Sequence, residues 1–410
     1  MQAPPRIVPV GLNRARVCLR NSLCAASLSL LAANATAQEA QESSSGADSE
    51  GPVAVFAFGS AYPQRMHQRK HPAAIDAIDS GIRWLSRCQS EDGRWDADEF
   101  MPGGQEIGPG KAPRDVAITG LALLACAREG RPQAQEEQFQ LLIKGIRWLA
   151  SQQDPSGLLG AGATHDFIYD HAIGTLGLLA ATAATESEEG REAAELALVY
   201  LQKHRNPHRV WRYMPRDGDN DTSITTWCTL ACAGARELGI GVDEKVFSHI
   251  SVWLEDITDD EGRSGYSSRG SLSSRLPGDH ATKFPLGKCE TLTGAGVLCR
   301  ALLGDDDHED TMKLSTGLLL QSPPQWEPKE GLVDFCYWFF ASEGLRHRGG
   351  DDADTWRKQM VAAVSEGQHK DGEFAGSWDP VGPWGEQGGR VYATAMAVLA
   401  LQSIYPFEQD

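Results

Sequence analysis

Between about Pro72 and Ile404 apolar residues recur with helical spacing, in two alternating kinds of segment. The first kind carries a single apolar stripe: Ala73–Cys88, Gln138–Gln152, Arg191–Lys203, Glu244–Asp256, a weaker copy at Thr311–Gln321, and Asp354–Gln368. One stripe predicts a half-exposed helix. The second kind follows each glycine-rich turn and is apolar on nearly every face: Asp115–Ala127, Tyr169–Ala183, Thr222–Leu238, Glu290–Leu303, Leu332–Leu345 and Val391–Ile404. A helix apolar all round is predicted to be buried. Six exposed and six buried helices in alternation predict an all-α fold with an inner ring inside an outer ring, a closed α6/α6 toroid. An open solenoid of helical hairpins is the competing arrangement. The aromatic-aliphatic positions Trp84, Trp148, Tyr200, Trp253, Leu319 and Val364 are spaced by 64, 52, 53, 66 and 45 residues, so the turns absorb the variation.

The wording of the pattern repeats as well. Ser80 to Trp95 holds Trp84-Leu85, then Gln89, the turn residue Gly93 and a closing Trp95. The same order returns at Gly145-Ile146-Arg147-Trp148-Leu149, followed by Gln153 and Gly157, with Leu159 at the tryptophan position. Such a unit is a helix end, a turn and an aromatic plug: the Gln amide is expected to satisfy backbone groups freed at the helix end, and the Trp to pack over the neighbouring unit. It resembles the QW motif of the prenyltransferase and squalene-cyclase repeat family, over roughly residues 73–406. The resemblance implies that the ring closes, and it places the α/α toroid at 72–410.

Upstream of the repeats, Arg14, Arg16 and Arg20 precede an apolar run from Leu23 to Leu31 and an Ala35-Thr36-Ala37 site. This reads as a signal peptide over 1–37. The apolar run is shorter than the roughly 20 residues that span a bilayer, so the expectation is an exported (periplasmic or secreted) protein without a stable membrane anchor. Residues 38–71 read as a disordered Ser, Glu and Gln-rich linker and an N-terminal arm, the latter including the short apolar run Pro52 to Ser60, an edge strand or a packed arm. Removing residues 1–37 takes away four arginines and no acids, which moves the formal charge from −18 to −22. That acidity argues against nucleic acid or an anionic membrane as partner. Seven cysteines remain, an odd number without the spacing of a disulfide framework.

Acids recur where the buried helices begin: Asp115, Asp170, Asp221, Glu290 and Asp334. Helix capping accounts for any one of them; a ring of them facing one cavity is a candidate site. The cavity is expected to be lined by Asp115, Asp170, His171, Trp227, Glu290, Tyr337, Trp338 and Tyr392. Turn residues His165, Asp166 and Tyr169, Trp211, Arg212 and Tyr213, Arg263 and Tyr266, and Lys288 suit either a ligand with an apolar body and a polar end or the plugging of neighbouring repeats.

Three family motifs are incomplete. Asp334-Phe335-Cys336 resembles the zinc-binding segment of protein prenyltransferase β subunits, which implies Asp334 and Cys336 as ligands. Ala393 stands where the family's histidine would complete the set, leaving His165, His171 or His280 as spatial substitutes. Zinc is therefore a possible cofactor and no other is indicated. Asp217-Gly218-Asp219-Asn220-Asp221-Thr222 resembles the acid motif of squalene-hopene cyclases. Asn220 falls at the proton donor, leaving Asp219 or Asp221 for the role, or simply a turn that caps the next helix. Pro383-Trp384-Gly385-Glu386-Gln387 resembles the thioester motif of complement-type toroids, with Trp384 at the cysteine. The sequence reading is thus an exported toroid that binds a hydrophobic, isoprenoid-like molecule or a peptide or protein in its cavity, leaning away from catalysis. The alternative is an isoprenoid-processing enzyme, a terpenoid cyclase or a zinc-dependent prenyltransferase-like protein.

Overall fold

The computed structural model describes residues 55–56, 72–100, 108–160, 164–304 and 308–404 of the chain. The chain divides into compact units at 1–51 and 52–410, and every described residue belongs to the second. The leader and the linker up to Gly51 lie outside the described residues.

Among the described residues there are thirteen α-helices and no strand. Six outer helices, α1 (Pro72–Arg87), α3 (Glu137–Ser151), α5 (Glu188–His204), α7 (Lys245–Ile257), α10 (Glu309–Gln321) and α12 (Gly350–Gly367), alternate with six inner ones. The inner helices are α2 (Asp115–Ala127), α4 (Phe167–Thr185), α6 (Thr222–Glu237), α9 (Thr291–Leu303), α11 (Phe335–Arg348) and α13 (Gly385–Gln402). A short helix, α8 (His280–Lys283), interrupts the long connection before α9. The periodicity explains the layering. In α1 the buried residues Ala74, Ala77, Ile78, Gly81, Trp84 and Leu85 form one stripe, whereas α2 buries every residue from Val116 to Ala127.

Each inner helix packs on the next in chain order, and α13 returns to pack on α2. The fold is a closed α/α toroid. Between α2 and α4 the approach is backbone to backbone: a Cβ added to Gly177 would lie 2.1 Å from the Gly120 carbonyl oxygen. Helix α4 is long and apolar enough to cross a membrane, but it lies buried in this ring.

The repeated Gln and Trp act as stitches. Gln89 Nε2 donates to the Gly93 carbonyl within its own turn and to the Leu141 carbonyl on α3, both at 2.9 Å. Gln153 repeats this with Gly157 at 3.2 Å and Ala193 on α5 at 2.9 Å. Gln368 in the last repeat bonds Gly376 at 3.0 Å and Ala77 on α1 at 2.8 Å, so the same stitch closes the ring. Carbonyls at the helix ends are taken by the tryptophans rather than the glutamines: Trp95, Trp211 and Trp378 donate their indole N–H to Leu85, Leu201 and Val364 at 2.8, 2.8 and 2.7 Å. Gly376 has φ +97, and a Cβ there would lie 2.2 Å from the Ser80 carbonyl oxygen of α1. Only a glycine turns tightly enough to seat this hairpin on the neighbouring helix.

Candidate functional site

The inner helices are parallel, so their N-terminal ends gather at one rim of the ring, where partial positive charge favours acids. Asp115 opens α2; its Oδ1 accepts the Ala97 N–H at 3.0 Å and its Oδ2 lies 3.8 Å from Arg94 Nε. Burial pushes its carboxyl up to about 6, and the neighbouring charges of Asp96 and Asp98 add to the shift. Oxygens of Asp96, Asp98 and Asp115 lie within 4.8 Å of one another, the one three-ligand group among the described residues with the proximity to hold a metal. Arg94 already spans it, 2.7 Å from Asp96 Oδ2.

Arg114, at the N-cap of α2, reaches across to α4. It grips both oxygens of Asp166 at 2.8 and 2.7 Å and Oδ2 of Asp170 at 2.8 Å. The other oxygen of Asp170, Oδ1, is buried and has no hydrogen-bond partner. Burial dominates this carboxyl and pushes it up to about 7; Arg114 opposes the shift and the charge of Asp166 reinforces it. Asp166, with both its oxygens bound to the guanidinium, is lowered instead, because Arg114 outweighs its partial burial.

The third patch surrounds the start of α6. Asp221 is fully buried and caps the helix, its Oδ1 accepting the Ile224 N–H and the Ser223 hydroxyl, each at 2.9 Å. Tyr266 donates its hydroxyl to Asp221 Oδ2 at 3.5 Å, and Arg212 Nε lies 3.9 Å away. Burial raises the Asp221 carboxyl to about 6 against these bonds. Around it, Tyr169 meets Ser223 at 2.5 Å, Tyr213 meets Tyr266 at 2.8 Å, and Arg212 lies over both the Tyr213 and Tyr266 rings. His165 packs on Tyr213 with ring centroids 4.7 Å apart. Asp219 is exposed, 3.5 Å from Arg212, on a loop held by Asn206. Of the two acids proposed for proton donation, only Asp221 reaches the inner rim.

Across the ring, Arg263 grips Glu290 at 2.7 to 3.2 Å and Thr293 donates to the same carboxylate at 2.7 Å. Asp334 caps α11, accepting the Tyr337 N–H at 3.1 Å and the Thr291 hydroxyl at 3.0 Å, with Arg275 at 4.0 Å. Cys336 Sγ meets the Tyr392 hydroxyl at 3.1 Å, and burial pushes the thiol up, away from the thiolate a metal requires. Among the described residues no third ligand atom joins Asp334 and Cys336. Ala393 is buried. His280 is committed to the Leu276 N–H and the Pro383 carbonyl. His171 lies buried between the Leu159 N–H and the Ala197 carbonyl, turned toward the outer ring. Tyr337 also turns outward, donating to Ser322 at 2.8 Å, and Trp338 packs on Trp326 and Phe335. The seven described cysteines carry free thiols, five of them buried.

The rim therefore unites Asp115, Asp170, Asp221 and Glu290 with tyrosines and arginines. Trp227 of α6 stacks on Phe339 of α11 with centroids 5.7 Å apart and meets Phe340 edge-on at 5.1 Å. These helices are not ring neighbours, so their rings meet inside the barrel. Sequence reasoning passed over Arg94, Asp96, Asp98 and Arg275 as site residues. The Asp-Ala-Asp directly after the Trp95 plug was the one local signal for any of them.

No protein-family model matches the chain, and no curated protein matches it in sequence. Solved structures match its fold. An alpha-amylase from Clostridium perfringens aligns over 82% of this chain and 98% of its own at 13% identity, with a TM-score of 0.54. An unsaturated glucuronyl hydrolase from Bacillus sp. GL1 aligns over 79% and 95% at 14% identity and 0.52. The type II terpene cyclase MstE from Scytonema aligns over 82% and 98% at 13% identity and 0.50. At these identities the likeness establishes the α/α toroid alone.

Proposed function

We propose that the chain works at the N-terminal rim of its inner ring as an acid–base site for a polar, polyhydroxylated ligand of saccharide-like chemistry. The observation that carries this is Asp170, a buried carboxyl pushed up to about 7 with one oxygen on Arg114 and the other unpartnered. A group poised near neutral pH both gives and takes a proton under ordinary conditions, and carboxyls so shifted cluster at functional sites. On the same rim, Tyr169, Tyr213, Tyr266, Ser223 and Arg212 supply aromatic faces and hydroxyls around Asp221, the kind of lining that orients a ligand rich in hydroxyl groups. Two of the fold neighbours are named as saccharide-acting enzymes, which is in keeping with this choice without deciding it.

The isoprenoid reading finds less support. Asp221 accepts a backbone N–H and two hydroxyls, so both its oxygens are engaged even though burial raises it to about 6, whereas protonating an alkene needs an acid with a free proton. Inside the ring, Trp227, Phe339 and Phe340 pack on one another. Membership of the prenyltransferase and squalene-cyclase repeat family, with eroded motifs, stays part of the proposal, supported by the Gln and Trp stitches. Export through a leader ending near Ala37 belongs to it as well; buried thiols resist the oxidation that export brings.

Thermal shift of the full chain against neutral oligosaccharides, uronic-acid oligosaccharides and isoprenoid alcohols tests the choice. Stabilisation by a saccharide, diminished in Asp170→Asn, is the expected result. Stabilisation by an isoprenoid alone would overturn it.

A further inference from the structure

The opposite end of the inner ring holds a second built site, already filled. Arg128 at the C-cap of α2, Gly234 and Glu237 at the end of α6, Glu343 and Arg346 late in α11, and Ser403 at the C-cap of α13 all lie at the C-terminal ends of inner helices. Val55 and Phe56, only 2% and 1% exposed, lie among them. Glu237 Oε2 accepts the Val55 N–H at 2.7 Å and the Phe56 N–H at 3.1 Å. Arg128 donates to the Val55 carbonyl at 3.3 Å. Two consecutive N–H groups and the carbonyl between them are thus read by side chains more than 70 residues away in sequence.

Two features set this apart from ordinary core packing. The wall stands without the arm: Glu343 binds Arg128, Arg346 and Ser403, all carried by inner helices, so the guanidinium that reads Val55 is held in place beforehand. The well for the aromatic ring is kept open by Gly234, where a Cβ would lie 2.4 Å from the Phe56 ring. Glycine is a poor helix former, so the space it leaves for the ring is its evident use here. Both residues lie in a bend, which turns their two N–H groups onto one carboxylate oxygen; recognition of backbone polar groups combined with a well for one side chain is a way proteins hold peptide segments.

We propose that the C-terminal end of the inner ring is a peptide socket for an aliphatic–aromatic pair held in a bend, which the chain's own Val55–Phe56 occupies in cis. Its occupant in trans is a peptide of the same chemistry. Glu237 and Arg128 clamp that peptide's backbone, and the Gly234 well takes its aromatic ring.

The test uses the full chain and a labelled peptide with the sequence of Pro52 to Phe58. Fluorescence anisotropy compares the wild type with a chain carrying Val55→Asp and Phe56→Asp, which empties the socket. The emptied chain, folded by circular dichroism, is expected to bind at least tenfold more tightly than the wild type. Adding Gly234→Ala should remove that gain. No binding to the folded, emptied chain, or equal binding to all three chains, would overturn the proposal. If the emptied chain fails to fold, hydrogen exchange on the wild type and on Gly234→Ala alone decides. Amides of Val55 and Phe56 exchanging at least tenfold faster in the variant support the socket, and unchanged protection contradicts it.

Discussion

Two buried acids at opposite ends of the same ring have opposite fates. Asp170, at the N-terminal rim, has one oxygen on one guanidinium and a second acid, Asp166, sharing that guanidinium. Glu343, at the C-terminal end, lies between Arg128 and Arg346 and also takes the Ser403 hydroxyl. Burial pushes both upward. At Asp170 burial wins and the carboxyl rises to about 7; at Glu343 the two guanidiniums overcome it and hold the carboxyl well below its usual range. The difference teaches that burial alone does not make a proton-exchanging acid; the balance between burial and the cations within reach decides. The helix dipoles are consistent with both arrangements, acids at the N-terminal rim and arginines at the C-terminal end.

The strongest way to break this contrast is Glu343→Ala. It leaves Arg128 and Arg346 buried without their shared anion and should cost about 3–5 kcal/mol, read from urea unfolding. A cost below about 1 kcal/mol would mean that water or another group already serves these guanidiniums. Gln368→Ala tests the ring that both ends share. It removes one bond within the last turn and one across the closing seam, worth about 1 kcal/mol each, and should destabilise by about as much as Gln89→Ala at an internal joint. A near-zero effect at Gln368 alone would show the seam to be held by packing rather than by the stitch.

The rim then yields a test by pH. The folded carboxyl of Asp170 lies at about 7 against an ordinary 3.8. Its contribution to stability is fully present below about pH 4, where both states are protonated, and is lost as pH rises through about 7. The loss follows a slope of at most about 1.4 kcal/mol per pH unit. Asp170→Asn should therefore gain stability relative to the wild type between pH 4 and 7, tracked by Tm across that range. A constant difference between the two chains would refute the raised carboxyl. The smallest effect is expected at Asp219→Ala, an exposed acid whose removal should shift stability by less than about 0.5 kcal/mol. It should also leave the titration of Asp170 untouched.

The layering of six outer and six inner helices was legible because it follows from local spacing; ring closure came from the family resemblance, since spacing alone left an open solenoid in play, and the short α8 was not foreseen. The stripe of α1 and the all-round burial of α2 are written in consecutive residues, and Gln89, Gln153 and Gln368 repeat one stitch. The acids at the inner-helix starts were legible for the same reason. Their partners were not: Arg114 and Asp170 are 56 residues apart and Arg128 and Glu343 are 215 apart, and no local pattern pairs them. Nor could spacing tell that His171 and Tyr337 turn toward the outer ring, since an inner helix is apolar on every side and shows no preferred face. The run Pro52 to Ser60 read as an edge strand or a packed arm, and Val55 and Phe56 are buried against Glu237 and Gly234, a contact 181 residues long that only the closed ring creates.

The most direct test of the account is carbon-13 NMR titration of aspartate carboxyls in the wild-type chain, with Asp170→Asn to assign the signal. The account predicts a single resonance, absent in the variant, that titrates near pH 7. An Asp170 resonance titrating near pH 4 would contradict it, leaving the rim an ordinary ring of helix caps.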